Sequence, residues 1–134
     1  MTVIEEMRRT HPAAGTSDTS DALARCIQAC LECAQACTAC ADACLAEEMV
    51  AELRTCIRRN ADCADVCDTT ARVLTRLTGE NTATLRAVLE ACRVACAQCA
   101  EECEQHGDMH EHCRVCAEAC RRCEQACAEA LAAL

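Results

Sequence analysis

Eighteen cysteines fall along this chain at intervals that mostly alternate four and three residues, and that rhythm constrains the fold more than any other feature. Cys26, Cys30, Cys33, Cys37, Cys40 and Cys44 step by 4, 3, 4, 3 and 4. A mean step near 3.5 residues keeps successive side chains on one face of an α-helix, whereas a strand, with its period of two, would scatter them over both faces. The unit CxxxCxxCxxxC recurs at Cys92, Cys96, Cys99 and Cys103, and again at Cys116, Cys120, Cys123 and Cys127, the last set preceded by Cys113. Three helices therefore carry sulfur stripes.

A fourth helix emerges when the stripe is followed by position rather than by residue type. Met49, Leu53, Cys56, Asn60, Cys63, Cys67, Thr70, Leu74 and Leu77 form an unbroken series of the same steps. Extending the first stripe past Cys44 instead meets Glu47, Ala51, Arg54 and Arg58, a solvated face, so the phase resets near residues 45 to 49 and the chain must turn there. Gly79 and Gly107 mark the other breaks, with Asn81 or Thr82 opening one helix, and Asp108 with Glu111 resembling a capping box that opens the last. The expected helices are about 19–46, 48–78, 82–106 and 109–132. Short connections make neighbours antiparallel, so the expected fold is all-α: an up-down-up-down four-helix bundle over residues 19–134 with a cysteine-lined core. Residues 1–18 form an N-terminal arm in which Val3, Ile4 and Met7 suit a short helix packed outside the bundle.

Composition agrees with a thin, sulfur-rich core. The chain has no Trp, Tyr or Phe and only 20 Leu, Ile and Val, but 28 Ala and 18 Cys, small residues that bury readily. The opening 20 residues contain no apolar stretch fit for a signal peptide, which predicts a cytoplasmic protein with reduced thiols, and no run of apolar residues is long enough to span a membrane. The net charge of −9, with every basic residue an Arg, and the lack of stacking rings argue against nucleic acid as a partner. No Ser/His/Asp set, phosphate loop or paired-carboxylate signature points to an enzyme.

Laid side by side from their turns, the stripes give expected layers. Cys44, Cys103 and Cys113 join Leu53; Cys40 joins Cys56, Cys99 and Cys116; Cys37 joins Asn60, Cys96 and Cys120; and Cys33 joins Cys63, Cys92 and Cys123. At the opposite end Leu23, Leu74, Leu77, Leu85, Leu89 and Leu131 close the tube.

A tube of 18 thiols is not filler, since Ala or Val would pack as well without risk of oxidation. Thiolates select soft or borderline ions: Cu(I), Zn(II) or iron–sulfur clusters. Zinc favours closed tetrahedral sites built on turns, and the usual C-x2-C-x2-C loop of iron–sulfur proteins is absent. Several four-thiolate zinc sites, each at −2, would repel in one dry core, whereas a Cu(I) ion per thiolate replaces each proton with one positive charge. The residues thus favour many Cu(I) ions, at about one or slightly more per Cys. A zinc or iron–sulfur regulator with few discrete sites and a metal-free scaffold stay open as alternatives.

The repeated units at Cys26, Cys33, Cys92 and Cys116 give the chain a family likeness: over residues 19–132 it resembles the copper storage proteins, cysteine-rich four-helix bundles of bacteria. The resemblance implies storage and detoxification of Cu(I) without catalysis, membership of the cytosolic branch, and a homotetramer. It implies all 18 cysteines as ligands, Cys26, Cys30, Cys33, Cys37, Cys40, Cys44, Cys56, Cys63, Cys67, Cys92, Cys96, Cys99, Cys103, Cys113, Cys116, Cys120, Cys123 and Cys127. Family members also place Met or His ligands at an open end; Met49, His106, Met109 and His110 cluster at the turn-rich end here and match that pattern. His112 falls off the seam and His11 lies in the arm, so neither is included. A cytosolic copper carrier is the expected donor, handing ions to this mouth by ligand exchange.

Overall fold

In a computed structural model the described residues are 2–14 and 18–134, and the elements among them are helical. They are α1 (Val3–Thr10), α2 (Asp18–Leu45), α3 (Arg54–Thr75), α4 (Thr82–His106) and α5 (Glu111–Ala133), with a 3-10 turn at Val50–Leu53. Helix α2 packs on α3 and α5, and α4 packs on α3 and α5, which closes an antiparallel square with one core. The core is the sulfur seam itself: no cysteine is more than 2% exposed.

The second bundle helix begins later than the seam suggests. Residues 46–49 turn, the 3-10 segment follows, and regular α-helix starts only at Arg54. Over a single turn, a 3-10 period of three is indistinguishable from the 4,3 series, so Met49 and Leu53 keep the phase without being α-helical. Leu53 is fully buried and lids the end of the tube. At the other end of α3 the chain becomes extended at Arg76, so Leu77 lies beyond the helix. Gly79, at φ 77°, supplies the left-handed residue of the turn. No capping box opens α5: its N-cap is His110, which makes no side-chain cap bond, because the 107–110 turn is closed from behind by the Met109 and His110 N–H groups donating to the His106 carbonyl.

The arm is structured through residue 10. Thr2 and Glu5 form a reciprocal capping box at 3.2 Å each way and start α1. Its Arg8 is buried, donating to the Leu74 carbonyl at 3.2 Å and to the Ser20 carbonyl and hydroxyl at 3.5 and 3.4 Å. Ile4 packs on the core, whereas Val3 and Met7 are exposed. This helix lies at the leucine end, where Leu23, Leu74 and Leu89 are buried and Leu77, Leu85 and Leu131 are half-buried.

Candidate metal centre

Each bundle helix contributes its stripe because burial selects one face, and the four faces meet along one axis. The sulfurs of Cys33 and Cys63, Cys37 and Cys99, Cys63 and Cys96, and Cys30 and Cys92 stand 3.8 Å apart. Those of Cys37 and Cys120 stand 3.6 Å apart, those of Cys67 and Cys92 3.7 Å, and those of Cys26 and Cys127 3.7 Å. All 18 are free thiols. Sets of four whose sulfurs lie within 4.8 Å of one another run along the tube: Cys30, Cys92, Cys123 and Cys127; Cys33, Cys63, Cys67 and Cys96; Cys33, Cys37, Cys63 and Cys120; Cys37, Cys99, Cys116 and Cys120; Cys40, Cys44, Cys56 and Cys113. Neighbouring sets share members, Cys33 and Cys63 between the second and third, Cys37 and Cys120 between the third and fourth.

The layering differs from the one counted from the turns. Cys56 meets Cys103 at 3.6 Å rather than Cys99, Cys67 rather than Cys63 meets Cys92, and Cys113 meets Cys40 at 3.8 Å. The α4–α5 hairpin therefore sits about one seam step further from the mouth than expected.

Asn60 fills one seam position and is fully buried. Its Oδ1 accepts from the Cys99, Cys116 and Cys103 thiols at 3.0, 3.3 and 3.6 Å, and its Nδ2 donates to the Cys56 sulfur at 3.7 Å. It sets one polar group among the thiols of three neighbouring helices, where Cys99, Cys103 and Cys116 converge on its oxygen.

The mouth gathers three imidazoles and two carboxylates. His106 Nε2 lies 2.8 Å from Glu102 Oε2, and His110 Nδ1 donates to Glu47 Oε2, which also lies 3.5 Å from His112 Nε2. The rings of His110 and His112 stack at 5.6 Å. Of the residues singled out by sequence, His106 and His110 stand here, Met49 is half-buried in the connection, and Met109 is 68% exposed at the tip of the turn. His112, set aside on its spacing, also stands here, its Nδ1 3.4 Å from the Cys40 sulfur and 3.6 Å from that of Cys113. It stands in the first turn of α5, where a side chain leans toward the helix N-terminus and so reaches back over the tube from beside the seam. Proximity to Cys113 in sequence was its only visible signal.

Desolvation pushes the Cys44 and Cys113 thiols well above the ordinary thiol range, whereas the hydrogen bond with Cys103 holds Cys40 down at about 6. Burial acts to lower the His112 pKa, but its contacts with Cys40 and Glu47 outweigh that and raise it.

Residues 19–132 match the family described as copper storage protein. Over 98% of its length the chain superimposes on all of a Streptomyces lividans copper storage protein, Ccsp, loaded with 10 copper equivalents, at 60% identity and a TM-score of 0.95. A second Streptomyces lividans structure, of a cytosolic copper storage protein with five coppers, is 65% identical over 85% of this chain and 95% of its own, with a TM-score of 0.84. An uncharacterised cysteine-rich protein of Bacillus subtilis, YhjQ, is 33% identical over 69% of this chain and 81% of its own length.

Proposed function

The chain belongs to the copper storage protein family, and from that premise we propose that it holds Cu(I) as a shared thiolate array, filled at about one ion or slightly more per cysteine. One observation carries the reading: neighbouring four-sulfur sets share members, Cys33, Cys37, Cys63 and Cys120 each belonging to two, so these sulfurs can serve more than one ion. A chain of shared ligands suits an ion that accepts two or three sulfurs and neutralises each thiolate with a single charge. Taking a metal–sulfur bond of about 2.3 Å, as for zinc, three sulfurs around one ion stand about 4.0 Å apart. The sulfur contacts of 3.6–4.0 Å are already near that value.

The family is one of storage proteins rather than enzymes, and copper is its cargo. All 18 cysteines serve as ligands in this reading, with residues 19–134 as the vessel and the first 18 as an accessory arm. His106, His110, Met49 and Met109 form the uptake port, to which the mouth geometry adds His112. The near-identical fold of a relative described as cytosolic supports a cytoplasmic location, with a cytosolic copper carrier as donor. The homotetramer rests on family likeness and is read directly by sedimentation, where a monomer would remove it.

The test is an anaerobic titration of the reduced protein with Cu(I) against a chromogenic chelator. A plateau near or above 18 ions per chain is expected, one for each thiol. A plateau near four would return a zinc or iron–sulfur regulator with discrete sites to first place.

A further inference from the structure

Outside the sulfur core, the mouth holds an arrangement that thiolate chemistry does not require: each of its imidazoles is backed by a carboxylate, and one carboxylate serves two. A carboxylate only accepts, so the ring nitrogen facing it is the one that carries the proton, and in a neutral ring the other nitrogen holds the lone pair. Glu47 Oε2 accepts from Nδ1 of His110 and stands 3.5 Å from Nε2 of His112, which faces it but is buried without a hydrogen-bond partner. The lone pairs then fall on His110 Nε2 and His112 Nδ1. The first is buried with no hydrogen-bond partner, in a side chain only 9% exposed. The second faces the Cys40 and Cys113 sulfurs at 3.4 and 3.6 Å.

A buried acceptor left unsatisfied is costly, and its persistence needs a cause. Glu47 supplies one. It stands in the connection after α2, while both histidines open α5, so a single carboxylate crosses between the two turns at the mouth. We propose that Glu47 is a positioning residue for Cu(I) uptake, fixing the tautomers and ring planes of His110 and His112 so that one lone pair waits in the mouth and the other faces the first sulfurs. The inference rests on the reading of this end as the uptake port. Carboxylates backing imidazole ligands fix the ring and raise its basicity in the same way at many metal sites.

The experiment uses the full reduced chain, labelled with 15N-histidine, as wild type, Glu47→Gln and Glu47→Leu. Long-range 1H–15N spectra read each tautomer, stopped-flow mixing with Cu(I)–bicinchoninate reads uptake, and endpoint titration reads capacity. The wild type should show His110 protonated at Nδ1 and His112 at Nε2. Glu47→Leu should mix the tautomers and slow uptake by about tenfold with capacity unchanged, and Glu47→Gln, whose carbonyl oxygen still accepts, should retain most of both. Wild-type tautomers in Glu47→Leu overturn the proposal at any uptake rate, since the carboxylate would then act by charge or packing alone. Mixed tautomers with unchanged uptake overturn it as well. His110→Ala and His112→Ala separate the two levels: if they slow uptake while Glu47→Leu does not, the port stands and only Glu47 loses its role. If none of the three slows uptake, the port reading falls and the proposal falls with it.

Discussion

Asn60 shows how one side chain can order a core made of weak hydrogen-bonding groups. A thiol is a poor donor and a poor acceptor, so thiols packed only against one another have little to fix their rotors. The Asn60 carbonyl oxygen draws three of them to one point, and its amide fixes a fourth sulfur. Asn60→Ala removes that acceptor and leaves a small void, and should cost the metal-free protein about 1–3 kcal/mol. Chemical denaturation of the apo form measures it. In the copper-loaded form the same substitution should cost less, because the three donor protons are gone; an equal loss in both forms would show that Asn60 acts through volume alone. Its place in the seam was legible from spacing, but its role was not, since which thiols face it depends on the register of helices far away in sequence. His112 was hidden for a related reason. A stripe registers only residues on the seam, and a first-turn side chain reaches the core by leaning over the helix end.

Among the elements, the four long helices could be read directly because a two-value spacing admits almost no other fold. Their ends were harder. A 3-10 turn kept the α3 phase over residues 50–53, and the apparent capping box at Asp108 yielded to a turn held by backbone bonds from His106. The axial slip of the α4–α5 hairpin followed from the same misreading, since layers counted from a turn inherit the error in its length. Helix α1 was expected as a short helix packed outside the bundle through Val3, Ile4 and Met7, and what ties it down is a charged residue. Arg8 caps the end of α3 at the Leu74 carbonyl while holding the start of α2 at Ser20. Burial lowers its pKa from the ordinary guanidinium value, though an arginine stays charged. Arg8→Met should cost about 1–3 kcal/mol through the lost charge-assisted bonds, with faster amide exchange in α1 and at the α3 C-terminus. Exchange unchanged in both places would mean that α1 is held by Ile4 alone.

In the proposed reading, loading exchanges a proton for a copper ion at each thiol that holds one. The thiols of Cys44 and Cys113 are raised by burial, so at neutral pH they carry protons, and Cu(I) must displace them. Titration in weak buffer should release about one proton per ion bound, and apparent affinity should fall about tenfold per ion for each unit drop in pH. Stability follows with a definite sign. Below the unfolded thiol pKa of about 8.5 both states hold these protons, and above it the unfolded chain loses them first, so stability declines as pH rises toward the higher folded values. The apo melting temperature should therefore drop above about pH 9, while that of the loaded protein, whose thiolates are already formed, should stay level. A parallel decline in both would place the sensitivity outside the core.

The two ends of the tube differ in kind: histidines and carboxylates at one, leucines and the Arg8 strap at the other. With the histidine end as the one doorway, as proposed, traffic through the vessel is a stack rather than a queue. What goes in last lies nearest the way out, so the newest copper is the first withdrawn and the deepest is a reserve drawn on only in long scarcity. Loading one copper isotope and then another would make that history visible in the order of release, giving the protein a short record of its own supply.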